Sequence, residues 1–98
     1  MAIVAVSISP VGEGVGVSRF VSAALRVLRD QDRVAYRTDP MFTTLEGDLD
    51  EVMALVRRMQ EAVFEAGAVR VGSVIKIDDR RDKPVGMEDK LRAVAPGD

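Results

Sequence analysis

Three short stretches hold the side chains that could do chemistry. In Met41-Phe42-Thr43-Thr44-Leu45-Glu46, two hydroxyls and a carboxylate sit in an otherwise apolar run. Such a carboxylate is either an ordinary strand-end charge or the hydrogen-bond acceptor at the rim of a pocket. With Thr43 and Thr44 beside it, the cluster suits recognition of a small polar ligand. The run Lys76-Ile77-Asp78-Asp79-Arg80-Arg81-Asp82-Lys83 carries seven charges in eight residues, and they nearly cancel. Mixed sign at that density makes a solvated turn, a structured arm or intersubunit salt bridges rather than a polyanion site. Lys76, still within the strand that leads into the run, is the member placed to face a site. Asp78 and Asp79 could offer oxygens to Mg²⁺, but neighbouring strand residues point to opposite faces, so no metal is expected. The third stretch, Pro10 to Val17, has glycines at 12, 14 and 16. It lacks both the GK[ST] ending of a phosphate loop and the GxGxxG spacing of a dinucleotide fingerprint. A flexible turn or a backbone contact to an anion remains open.

The chain has 98 residues and neither histidine nor cysteine. Imidazole acid–base chemistry, thiol nucleophiles, disulfides and soft-ligand metal sites are therefore excluded. Fourteen basic against 16 acidic residues leave a net charge of −2, which argues against a phosphate-tracking nucleic-acid partner. No stretch approaches the roughly 20 apolar residues of a membrane span, and the N-terminus lacks a basic region followed by a long apolar one. A cytoplasmic location with no membrane partner is the expectation. A chain this short has a thin core, so association with further copies is also expected.

The elements that must position these residues follow from periodicity. Ala2 to Ser9 alternates, with Val4, Val6 and Ile8 on one face and Ala5, Ser7 and Ser9 on the other, which predicts a buried strand. Ser18 is the expected N-cap of a helix running to about Asp30. Arg33–Thr38 and Met41–Glu46 predict a hairpin around Asp39-Pro40. Tyr36, on its first strand, lines a pocket or lies on an exposed face. Asp48 and Glu51 resemble a capping box for a helix that Gly67 closes, with Leu49, Val52, Val56, Met59 and Val63 on one face. Ala68–Asp78 predicts a fourth strand and Met87–Val94 a short last helix. The order β-α-β-β-α-β predicts one α+β domain over 1–98, ferredoxin-like, with a four-stranded antiparallel sheet. Two helices would cover one face and leave the other open for association or ligand. The phase of the fourth strand stays undecided: either Val74 and Lys76, or Ser73 and Ile75, reach the open face.

Pro10-x-Gly12, Met41-x-Thr43-x-x-Glu46, Asp48-Leu49-Asp50-Glu51 and above all Ile75-Lys76-Ile77-Asp78-Asp79-Arg80-Arg81-Asp82-Lys83 resemble the YkoF-like family of thiamine-binding proteins, over nearly the whole chain. The resemblance implies a ferredoxin-like subunit that forms dimers and tetramers. It also implies binding of thiamine or its hydroxymethylpyrimidine portion without catalysis and without a separate cofactor. The family often has an acidic residue in its first strand where this sequence has Ala5. Thr43 and Glu46 are carried over as ligand contacts from the motif; Ser7, Thr44 and Lys76 are added by expected geometry, and Tyr36 as a residue that could stack on a ring. Two other readings compete. One is a structural or regulatory oligomeric module with no dedicated small-molecule ligand. The other is an acylphosphatase-like enzyme, disfavoured because the loop after the first strand has no Arg and the chain has no Asn.

Overall fold

β1 (Ala2–Pro10) is the spine of the molecule. It lies between β3 (Thr43–Gly47) and β4 (Val71–Asp79), with β2 (Ala35–Thr38) outside β3, giving the order β2-β3-β1-β4 with all neighbours antiparallel. The computed structural model describes residues 1–95; the last three residues of the expected 1–98 domain lie outside the described residues. This is the ferredoxin-like α+β arrangement that the element order predicts.

The alternation of β1 holds as expected: Ala2, Val4, Val6 and Ile8 are buried, and the residues between them are more accessible. The buried set meets α1 (Ser18–Arg29) through Phe20, Ala24 and Leu28, and α2 (Leu49–Glu65) through Val52, Leu55, Val56, Met59 and Val63. Leu45 of β3 completes this core. Asp48 caps α2 by accepting the Glu51 N–H at 3.1 Å. The reciprocal arm of a capping box is missing, because the Glu51 carboxylate pairs with Arg33 instead. Gly67, at φ +116°, turns the chain out of α2 in a conformation that disfavours any residue with a Cβ.

Several boundaries differ from expectation. Ser18 is the first residue of α1 and not its cap; Val17 holds the cap position, its carbonyl accepting from Phe20 N at 3.0 Å and Val21 N at 3.2 Å, with no side-chain cap bond. β2 begins only at Ala35, because Gln31 and the residues after it form a separate corner. The Gln31 amide donates to the Leu28 and Val34 carbonyls at 3.1 and 3.0 Å, and its oxygen accepts from the backbone of Arg33 and Val34. β4 begins at Val71, three residues late, since Ala68 N–H bonds back to Val63 O at the end of α2. The largest departure is the last helix, α3 (Met87–Ala93), which stands over the sheet face expected to be uncovered.

Gln31→Ala leaves four backbone groups of this corner to half-exposed surroundings. It should lower unfolding stability by about 1–2 kcal/mol, read as a shift in the denaturant midpoint without a change in slope.

Candidate functional site

Residues paired directly across neighbouring strands share one face of a sheet, so the registers determine what the face away from α1 and α2 presents. Arg37 pairs with Thr44, Thr44 with Ala5, and Ala5 with Lys76. These four form one row across all strands. The next row on the same face runs Ala35, Glu46, Ile3, Asp78. One row carries cations at its two ends and the other carries carboxylates. The undecided phase of β4 is thereby settled: Val74 and Lys76 lie on the open face, and Ser73 and Ile75 opposite Ile8 and Val6 on the helix face.

A cleft of about 840 Å³ lies between this floor and α3. Ile3 and Ala5 form its apolar floor, and Val85, Met87, Leu91 and Val94 its apolar roof. Thr44, Lys76, Arg37 and Asp78 supply polar groups along the floor. That size and mixture fall within the range of small-molecule pockets, roughly 300–1,000 Å³.

The roof is held by the acidic row. Glu46, half-buried at the end of β3, accepts the Met87 N–H at 2.7 Å through Oε2. Its carboxylate lies so close to Gly86 that an added Cβ there would stand 3.0 Å from Oε2 and 3.1 Å from Oε1. Asp78 forms an ion pair with Lys90. No residue of α3 is buried, so these polar contacts, rather than a packed seam, set its position. The Lys90 ammonium holds the Asp78 carboxyl below the usual aspartate range, through a hydrogen bond first and charge second. The Gly86 N–H, with Arg92 assisting, does the same for Asp89. The charged run continues as a structured arm of internal pairs, Arg81 with Asp79 and Arg80 with Asp82.

The expected site residues separate into two groups. Thr44, Glu46 and Lys76 come together on the open face, with Ser7 one row further along beside Val74. Thr43 and Tyr36 do not join them. Thr43 pairs with Val6 and is buried on the core side, and Tyr36 pairs with Leu45 and borders a shallow hollow with Leu25 and Arg29 of α1. The period of two in β3 puts Thr43 and Glu46, three apart, on opposite faces. The glycine loop is a turn: Gly12 and Gly14 take positive φ, and the Val11 N–H is tied to Arg70 O at 2.8 Å. Among the described residues no group of three or more acidic side chains is placed to hold a metal ion, and no helix is long and apolar enough to cross a membrane.

Gly86 and Met87 of the roof and Arg37 and Asp78 of the floor lie outside the expected site; for the roof, the available signal is Gly86 three residues before Asp89, a helix start whose first turn is acidic.

A family model described as "Thiamine-binding protein" matches residues 4–95. A UPF0045 protein of Mycobacterium bovis, Mb1933, is 46% identical over 93 residues, 94% of this chain and 89% of that protein. YqgV of Bacillus subtilis, also a UPF0045 protein, is 38% identical over 98 residues, covering 96% and 94% of the two chains. The crystal structure of MJ1052 from Methanocaldococcus jannaschii superposes with a TM-score of 0.84 at 40% identity, covering 95% of each chain.

Two outcomes test the roof. Gly86→Ala, at an ordinary backbone conformation, should displace the Glu46 carboxylate and raise amide exchange across α3 several-fold, leaving exchange in β1 unchanged. Because the folded pKa of Asp78 is lowered, its contribution to holding α3 is complete above the ordinary value of 3.8 and is lost as pH falls through the lowered one. The backbone resonances of Met87–Ala93 should therefore hold constant near neutrality and move only in strong acid.

Proposed function

Since the chain belongs to the thiamine-binding protein family, we propose that it binds thiamine or its hydroxymethylpyrimidine portion, without transforming it, in the cleft between the open sheet face and α3. The observation that carries this reading is the cleft itself, in which an apolar floor and roof enclose a few polar groups. A flat heteroaromatic ring needs both. The Thr44 hydroxyl both donates and accepts, which suits the edge of an aminopyrimidine. Met87 offers a thioether to the ring face. Glu46 has Oε2 engaged by the Met87 N–H and is proposed to accept from the pyrimidine amino group through Oε1. Lys76 completes the proposed contacts, with Ser7 at the margin.

Catalysis is not part of the proposal. The chain has no histidine or cysteine, and the two carboxylates nearest the cleft floor are occupied in holding the roof. The protein is further proposed to work in the cytoplasm as a homo-oligomer, a dimer of dimers. Support for the association comes from β4, a nine-residue strand at the edge of the sheet with Val74 exposed at 60% on the open face and Ile77 at 46% on the other, an edge that free monomers rarely leave uncovered.

A second reading, a structural or regulatory module without a dedicated ligand, draws on the same internal pairing: Glu46 and Asp78 are both satisfied within the chain.

Calorimetric titration with thiamine and with hydroxymethylpyrimidine separates the two. Heat of binding and a thermal shift with either compound are expected; neither signal at millimolar ligand sinks the binding reading in favour of the module. Thr44→Val should weaken binding about tenfold, the loss of roughly one hydrogen bond. Glu46→Gln keeps an oxygen for the Met87 N–H, so it should weaken binding while leaving the melting temperature nearly unchanged. Light scattering should report a tetramer, and a monomer mass would remove the proposed assembly.

A further inference from the structure

The two rows of the cleft floor are not equally available. In the acidic row Glu46 is taken by the Met87 N–H and Asp78 by Lys90. On the roof, Asp89 is taken by the Gly86 N–H and Arg92, and at the rim Asp39 by Arg37. The three carboxylates lining the cleft, Asp39, Asp78 and Asp89, therefore each have a cation partner, and Glu46 beside them accepts from the backbone. The cations differ. Lys76 on the floor and Lys83 in the segment leading to α3 line the cleft and have no ion-pair partner among the described residues. Arg37 has only a loose, exposed contact with Asp39 at 3.5 Å.

The placement of these cations is set by the register. Arg37 and Lys76 end one row whose middle members are Thr44 and Ala5. With neighbouring strands about 4.8 Å apart, the two backbones stand roughly 14 Å from one another, a span that two long side chains narrow from both ends. Ala5 leaves space between them, and the Thr44 hydroxyl adds a donor on the floor. A positive thiazolium placed here would meet two cations, while Asp78 of the next row is already paired with Lys90. A phosphate monoester, with a charge of about −1.5 to −2 near neutral pH, would meet two cations and a hydroxyl.

We infer that the cleft selects the phosphorylated form of its ligand, the phosphate lying over Ala5 between Lys76 and Arg37, with Lys83 closing from the roof side. This rests on the reading of the cleft as the ligand site and names which chemical form fills it. Lys76 and Arg37 are then the specificity-determining residues.

The test compares matched pairs by calorimetry at low salt: thiamine with thiamine monophosphate, and hydroxymethylpyrimidine with its phosphate, with inorganic pyrophosphate alongside. The phosphorylated member of at least one pair should bind about tenfold tighter or more, and added salt should reduce that ratio. Which pair shows it distinguishes the whole vitamin from its pyrimidine half. Lys76→Met should collapse the ratio toward unity, and Lys76→Arg should largely preserve it; Lys76 is exposed, so circular dichroism should be unaltered in both variants. Equal or tighter binding of the unphosphorylated members, or a ratio indifferent to Lys76→Met, overturns the inference and leaves the binding function standing. If no pyrimidine or thiamine compound binds, the function reading falls. Pyrophosphate binding that depends on Lys76 would then still support an anion site, and its absence would overturn that too.

Discussion

The pairing register of β1 with its two neighbours is the constraint on which the rest of this molecule depends. β1 is hydrogen-bonded on both sides, to β3 and to β4, and its alternating side chains commit each partner residue to one face. Val4, Val6 and Ile8 must face α1 and α2, because there is nowhere else to bury them. Ile3 and Ala5 must then face the other way, carrying with them Thr44 and Glu46 on one side and Lys76 and Asp78 on the other. A slip of one residue would bury charged groups and expose the core. The composition of the cleft floor is thus a by-product of the hydrophobic pattern of a different surface.

The division of labour on that floor is what gives the site its character. Carboxylates that would otherwise attract a cation are used to hold α3, a helix with no buried residue of its own. Exposed ion pairs contribute little to global stability, yet here they decide where an apolar roof sits relative to an apolar floor. Gly86 belongs to the same device. Its missing side chain is what allows the Glu46 carboxylate to reach the first N–H of the helix.

Much of this was legible from residue order. The periodicity of β1, the stripe of α2, the cap at Asp48 and the β-α-β-β-α-β order follow from local rules, and the run from Ile75 to Lys83 carried the family resemblance. Thr44 and Lys76 were also anticipated as partners. Thr43 enters the expected site through the family motif and Tyr36 as an aromatic that could stack on a ring, and the strand period places both on the other face. The role of α3 had no periodic signal, since a seven-residue helix without a buried face looks like any polar tail.

The amino-acid sequence by itself determined the elements, the core and the exclusion of histidine and cysteine chemistry, because these depend on residue type and on spacing within one segment. Only the tertiary structure decided which face of β4 joins the site, that the open face is roofed, and that Lys76 and Lys83 have no ion-pair partner there among the described residues. Those outcomes depend on contacts between residues as far apart as Glu46 and Met87. No local pattern records a partner forty-one residues away; it is set when the sheet closes and the chain that follows β4 turns back across it.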